Sequence, residues 1–215
     1  MSRTELHPAV RSAMISDSLD LIGIRNNVMN FAIKPLERTM KITGYAATIE
    51  FAPSDEFDPA DPYAPAIDFL DTLQDGEVAI VATGEGYKSA FWGELFSTAA
   101  KQRGATGVIA DGPLRDVNQI FEVGFSAFGV GTLPYDYKGR MKVTSVRETV
   151  TCGGVLVSPG DFIIADVDGV VVVPHFAIEE VFTAANARAV GENHVLADLK
   201  AGSTVRAAWD KHHIL

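Results

Sequence analysis

The sequence predicts a mixed α/β fold, and three observations carry that expectation. A strand, a helix and a second strand are patterned in succession between residues 77 and 110. The part after residue 128 is rich in short apolar runs separated by turn residues, and helical spacing of apolar side chains appears near both ends. Alternating elements in the first half and a β-rich second half are the pattern of a sheet with helices packed on it.

Taken in order, residues 10–23 carry apolar side chains at helical spacing, with Ser16 and Asp17 as interruptions or caps, and predict one or two short helices. Residues 44–51, Gly-Tyr-Ala-Ala-Thr-Ile-Glu-Phe, predict a strand, and the Pro- and Asp-rich run 53–65 a surface loop too short for a domain linker. Residues 77–83 form an apolar run suited to a buried strand, ending at Gly84 and Gly86. Between Gly93 and Arg103, Leu95, Phe96, Ala99 and Ala100 fall on one stripe, which predicts a helix stopped by Gly104. Strands are then expected at 107–110, 128–132, 141–150, 152–157, 162–165 and 170–173, the fifth entered through the turn Ser158-Pro159-Gly160-Asp161. Residues 176–200 are helical in pattern, with Gly191 as a kink or boundary. The pattern leaves the strand order open.

Composition narrows the function classes. A chain of 215 residues with 47% hydrophobic content can fill a sizeable core, and one globular domain over residues 1–215 is the expectation. The formal net charge of -10, with acidic residues scattered, lacks the cationic surface that dominates nucleic-acid affinity, so nucleic acid is not an expected partner. No stretch supplies the roughly 18 uninterrupted apolar residues of a membrane helix, and no apolar core follows a basic start at the N-terminus. A cytoplasmic protein is expected. Cys152, the single cysteine, excludes an internal disulfide and a multi-cysteine zinc site, and reads as a buried small residue beside Gly153 and Gly154.

Chemistry concentrates between residues 77 and 116. A helix beginning near Gly93 leaves the amides of Gly93, Glu94, Leu95 and Phe96 without intrahelical partners, at the positive end of the helix dipole, where a carboxylate or phosphate is favoured. The strand at 107–110 runs into Asp111-Gly112-Pro113-Leu114-Arg115-Asp116, and loops at the carboxyl edge of α/β strands are where ligands usually bind. Arg115 can pair with a carboxylate or enolate oxygen, and Asp116 can hold a hard cation. By spacing alone, adjacent Arg and Asp in a loop are more often a solvated or structural pair.

A resemblance over most of the chain separates these readings. Trp92-Gly93-Glu94-Leu95, Gly104, Gly107 and Asp111-Gly112-Pro113-Leu114-Arg115-Asp116 resemble the signature of the 4-hydroxy-4-methyl-2-oxoglutarate aldolases and their relatives named as regulators of ribonuclease activity. Ser16-Asp17-Ser18-Leu19-Asp20, Cys152-Gly153-Gly154-Val155, Pro159-Gly160-Asp161 and Ala165-Asp166-Val167-Asp168-Gly169-Val170 resemble further blocks of that family in the same order. The resemblance implies a layered α/β/β fold of the swivelling type, assembled as trimers or paired trimers with active sites between subunits. It implies that the amides of Gly93, Glu94, Leu95 and Phe96 hold a pyruvyl carboxylate, that Arg115 binds substrate and enolate, and that Asp116 is the ligand of a magnesium or manganese ion. Glu94 takes the place of an acidic residue near the metal's waters, or serves the helix dipole as a first-turn carboxylate. The implied reaction is retro-aldol cleavage of a 4-hydroxy-2-keto acid to pyruvate, with oxaloacetate decarboxylation through the same enolate. Its base is a metal-bound water or Glu192 from a neighbouring subunit, although Gly191, Asn193 and His194 depart from the charged helix expected around that glutamate.

Two other functions stay open: a non-catalytic protein that binds and inhibits a ribonuclease, and an enzyme acting on another 2-keto or sugar-derived acid. The regulatory relatives lack the carboxylate after the arginine, and Asp116 favours the enzyme. The remaining residues take bland readings. Lys88 reads as a solvated lysine, Gly84-Glu85-Gly86 lacks the third glycine of a dinucleotide fingerprint, and Asp166 and Asp168 read as turn residues. His7, His175, His212 and His213 show no metal spacing, the last two lying in an expected mobile C-terminus.

Overall fold

The structure is a computed structural model that describes residues 5–84 and 89–214. In chain order its elements are α1 (Ser12–Leu21), β1 (Lys34–Pro35), β2 (Ile42–Pro53), α2 (Ala64–Asp71), β3 (Glu77–Ala82), α3 (Glu94–Gln102), β4 (Gly107–Ala110), α4 (Val117–Val123) and β5 (Ser126–Gly129). They continue with β6 (Met141–Val146), β7 (Val150–Cys152), β8 (Val155–Val157), β9 (Phe162–Ala165), β10 (Val170–Val173), a 3-10 turn (His175–Ala177), α5 (Ile178–Lys200) and α6 (Val205–His212). Among the described residues no helix is long and apolar enough to cross a membrane.

The main sheet runs in the order β1-β5-β4-β3-β2-β9-β10, with β6 also paired to β2. Its centre, β2 to β5, is parallel, and β9, β10 and β6 are antiparallel additions. Alternation along β2 divides the core. Ala47, Ile49 and Phe51 face α2, α3 and α4, while Ile42 and Ala46 face the small hairpin β7-β8. Because Tyr45 lies opposite Phe162 in the ladder, the side of β9 and β10 that carries Phe162, Ile164, Val171 and Val173 shares the helical face of the sheet. There it packs under α1 and α5. The layers are therefore helices, sheet and hairpin, the α/β/β order that the sequence resemblance implies.

Several local expectations are corrected. Within residues 10–23 the one or two expected helices are a single helix, Ser12–Leu21, in which Ser18 donates its hydroxyl to Met14 O (2.7 Å) and Asp17 pairs with Arg188 on α5 (2.7 Å). The run 53–65, expected as a loop, ends within α2, whose first turn is formed by Ala64 and Pro65. The strand expected at 128–132 lies earlier, as β5, after the unforeseen α4. The strand expected over 141–150 breaks at Arg147, whose φ of 55° turns its guanidinium onto Glu77 (2.8 Å) and Thr72 O (2.7 Å). The strand expected over 152–157 is a hairpin, since Gly153 and Gly154 both take positive φ (55° and 81°) and reverse the chain.

Gly191 does not end α5, and a Cβ there would meet Ile214 Cδ1 at 2.3 Å, so the glycine leaves space for that side chain. His212 sits in α6 with its ring nitrogen 2.7 Å from Asp198, which replaces the expected mobile tail with an ordered helix. Asp166 is structural as expected: it accepts from the Ser12 amide (3.0 Å) and hydroxyl (2.7 Å), capping α1 from a distance of 154 residues. Gly86 and Lys88 lie outside the described residues.

Candidate active site

The parallel strands β3 and β4 end on the same edge of the sheet, and the loops that leave them are hydrogen-bonded together. Phe91 N donates to Pro113 O (3.2 Å) and Arg115 N to Trp92 O (2.9 Å), so the start of α3 and the segment 113–116 form one wall. Leu114 is tied in turn to the strand-end loop after β5, through its own amide to Gly131 O (3.0 Å) and from Leu133 N to Leu114 O (3.0 Å). Behind the wall the Trp92 indole donates to Ser97 Oγ (2.9 Å), and Ser97 Oγ donates to Gly93 O (2.9 Å). Trp92 also lies parallel to the Phe125 ring at 6.3 Å, which fixes the first turn of α3 against the core.

Asp116 occupies an unusual backbone position. It holds the N-cap of α4 in the left-handed region, with φ 56° and ψ 42°, and its side chain does not cap that helix. Instead Oδ2 accepts from the Glu94 amide (3.2 Å), the first residue of α3. A non-glycine residue held there is the kind of local strain found at functional sites. Close approach also explains Gly93, where a Cβ would sit 2.4 Å from Asp116 Oδ2.

Arg115 lies between two carboxylates, with Nε 3.7 Å from Asp116 Oδ2 and Nη1 4.0 Å from Asp136 Oδ1. Tyr63, just before α2, donates its hydroxyl to Asp136 Oδ2. That bond is the main reason the Tyr63 phenol is pushed up from its ordinary value. These groups open onto a cleft of about 400 Å³ whose walls are otherwise aromatic and aliphatic, among them Ile67, Phe91, Trp92 and Tyr137. The Tyr137 hydroxyl is buried with no hydrogen-bond partner among the described residues, and burial, reinforced by the Asp136 charge, pushes it up. Such a group is uncommon in a folded interior.

Of the residues expected from sequence, Gly93, Leu95, Phe96, Arg115 and Asp116 line this cleft. Glu94 contributes its amide to Asp116, so one of the four amides expected to receive a carboxylate is occupied. Glu192 lies elsewhere in the same chain. It stands on α5, paired with Arg11 (3.0 Å) and Arg188 (2.9 Å), over the β9-β10 end of the sheet. Tyr63, Asp136 and Tyr137 were not foreseen, and the only local signal was an aromatic and acidic cluster, Tyr135-Asp136-Tyr137, following a strand.

A divalent ion finds a partial set of donors here. Among the described residues no three His, Cys, Asp or Glu side chains converge as a metal cage. Asp116 Oδ1 has no hydrogen-bond partner among them, and a hard cation of the magnesium type keeps several waters and needs only one or two carboxylates. Arg115 with Asp116 and Asp136 also leaves a net negative charge that a divalent cation and an anionic ligand together would offset.

Two buried groups close to this edge of the sheet are structural. Asp111 accepts from the Thr83 amide (2.7 Å), the Thr83 hydroxyl (2.8 Å) and the Gly153 amide (3.0 Å), tying β3 and β4 to the hairpin; burial nevertheless raises its carboxyl above the ordinary range. Cys152 is fully buried, as its sequence setting beside Gly153 and Gly154 leads one to expect, and that burial pushes its thiol up.

Comparison with known proteins agrees with the sequence resemblance. Residues 12–172 match the model of the RraA-like family, described as Aldolase/RraA. Protein DlpA of Legionella pneumophila is 30% identical over 94% of this chain, which spans only 32% of the length of that relative. A Halalkalibacterium halodurans protein named "Putative 4-hydroxy-4-methyl-2-oxoglutarate aldolase" is 29% identical, over 77% of this chain and 73% of its own length. Among solved structures, RraAS2 of Streptomyces coelicolor, described as an unusual member of the RNase ES inhibitor RraA protein family, superposes with a TM-score of 0.79 at 29% identity, over 88% of this chain and 93% of that one.

Proposed function

The chain belongs to the RraA-like, Aldolase/RraA family, and from that premise we propose that it is a divalent-metal-dependent lyase that cleaves a 4-hydroxy-2-keto acid to pyruvate and decarboxylates oxaloacetate through the same enolate. The observation that carries the reading is the placement of Arg115 and Asp116, side by side at the mouth of the cleft and locked to the start of α3.

Arg115 presents a planar fork of donors to a carboxylate or enolate oxygen, and its interaction grows as negative charge develops there, the condition for lowering the barrier. The amides of Leu95 and Phe96 point the positive end of α3 toward the same anion. Asp116 would hold a magnesium or manganese ion, which when bound supplies Lewis-acid polarisation of the 2-keto oxygen. The buried aromatic walls, Phe91 and Trp92, lower the polarity on one side of the cleft and strengthen the charge interactions beside them. For the base, the family resemblance suggests a metal-bound water or Glu192 supplied by a neighbouring subunit of a homotrimer or hexamer. The reading takes the chain as one domain acting in the cytoplasm.

The test is a coupled assay for pyruvate release from oxaloacetate and from 4-hydroxy-4-methyl-2-oxoglutarate, with magnesium and with chelator. Metal-dependent pyruvate from either, abolished in a folded Asp116→Asn variant, is expected. A fully active Asp116→Asn protein overturns the metal assignment. Silence of the wild type toward both compounds would instead favour a non-catalytic protein that binds a ribonuclease.

A further inference from the structure

Retro-aldol cleavage requires a group that takes the proton of the 4-hydroxyl, and within this chain Glu192 stands on α5, away from Arg115. We propose that Asp136, partnered by Tyr63, is that proton acceptor; the proposal rests on the lyase reading above. Asp136 lines the same cleft as Arg115. Its two oxygens have different surroundings. Oδ2 is occupied by the Tyr63 hydroxyl, whereas Oδ1 faces Arg115 Nη1 at 4.0 Å and otherwise receives only a long bond from the Lys138 amide (3.4 Å). Oδ1 is therefore the less occupied acceptor, beside the cation that would hold the pyruvyl end of the substrate.

The residue is held in place for such a task. Its carbonyl accepts from Arg140 Nη1 (3.1 Å), and the adjacent Tyr135 carbonyl accepts from the Ala90 amide (2.8 Å). The acid is thereby tied to the segment that leads into Trp92 and Gly93. Tyr63 packs edge-on against Tyr137 (5.5 Å), whose unpartnered buried hydroxyl lies within electrostatic reach of Asp136, Tyr63 and Arg115.

The step balances without a co-reactant. The 4-hydroxyl proton passes to Asp136 Oδ1, the O–H bonding pair left on the oxygen forms the C4 carbonyl, and the C3–C4 bonding pair moves into the pyruvate enolate. Return of the proton from Asp136 to C3 gives pyruvate and restores the carboxylate. Oxaloacetate loses carbon dioxide to reach the same enolate and presents no hydroxyl proton to remove.

The two activities therefore separate the role. With the full-length, metal-loaded protein, kcat/KM is measured for 4-hydroxy-4-methyl-2-oxoglutarate cleavage and for oxaloacetate decarboxylation in the wild type, Asp136→Asn, Tyr63→Phe and Glu192→Ala. Asp136→Asn is expected to lower the ratio of aldol to decarboxylase activity by about 100-fold or more, the usual scale of general base catalysis. Tyr63→Phe should lower the same ratio to a lesser degree, which keeps the test available if Asp136→Asn folds poorly. Equal losses in both activities would make Asp136 a support for Arg115 and overturn the proposal. So would a ratio lost in Glu192→Ala and kept in Asp136→Asn. A wild type that releases pyruvate from neither compound defeats the lyase reading itself, and this proposal with it, before any variant is compared.

Discussion

Replacing Gly93 by alanine tests whether the approach of Asp116 to the start of α3 has a purpose. Gly93 has φ -152° and ψ -162°, extended backbone that any residue adopts, so its conformation does not call for glycine. The added Cβ would meet Asp116 Oδ2 at 2.4 Å, Arg115 Cγ at 3.1 Å and Asp116 Cγ at 3.3 Å. Restoring ordinary contact moves the carboxylate away by roughly 1 Å. The Glu94 amide bond, already 3.2 Å long, does not survive that shift. Overpacking of this kind costs about 1–3 kcal/mol, and alanine returns about 0.4–1 kcal/mol by restricting the unfolded chain. The net loss of stability should therefore be about 1–2 kcal/mol, measured by urea denaturation. Catalysis should suffer more, because a misplacement of about 1 Å in a positioned group can cost about 100-fold. The assay is oxaloacetate decarboxylation across a magnesium titration. A variant within threefold of wild type at every magnesium concentration would refute the argument, as would a loss of stability large enough to account for the missing activity.

Two further perturbations address the scaffold. Asp166→Ala removes the acceptor of the Ser12 amide and hydroxyl and should cost about 1–2 kcal/mol, the range of a lost helix cap. Burial raises the Asp166 carboxyl, but the bonds from Ser12, Asp168 and Gly169 outweigh it and hold the group below its ordinary 3.8. The stability it contributes is thus fully present above that value and is lost as pH falls through the lower folded one. Urea denaturation over a pH series should show the wild-type advantage shrinking only in strong acid, and an advantage that grows on acidification would contradict this assignment. Gly191→Ala should leave the midpoint of thermal unfolding unchanged or slightly raised. The new methyl meets only the flexible end of Ile214, and alanine gains up to about 1 kcal/mol over glycine inside a helix. A drop in the midpoint would show that Ile214 is pinned.

Elements whose burial is total were the easiest to read. The runs Gly107–Ala110, Phe162–Ala165 and Val170–Val173 are apolar without interruption and bounded by Gly, Asp or Pro, and the structure begins and ends those strands at the expected residues. The hairpin at Gly153–Gly154 was obscured because valines on both sides favour strand, and only the two positive φ values disclose the reversal. The break at Arg147 is accompanied by its pairing with Glu77, 70 residues away, and Asp17 of α1 pairs with Arg188 in α5. Such ties have no local signature. The same holds within the cleft. Arg115 and Asp116 were readable through a family pattern, whereas Tyr63 and Asp136 meet across 73 residues of chain and are joined only when α2 packs beside the loop after β5.

The placement of the two tryptophans gives the molecule separate optical reporters. Trp92 is buried, stacked on Phe125 and one residue from Gly93, while Trp209 is 39% exposed on α6. A quencher dissolved in water reaches the second far more readily than the first. Emission that survives such a quencher therefore belongs to the wall behind the cleft, and its change on adding a cation or a keto acid reads out local rearrangement at Gly93, independently of turnover.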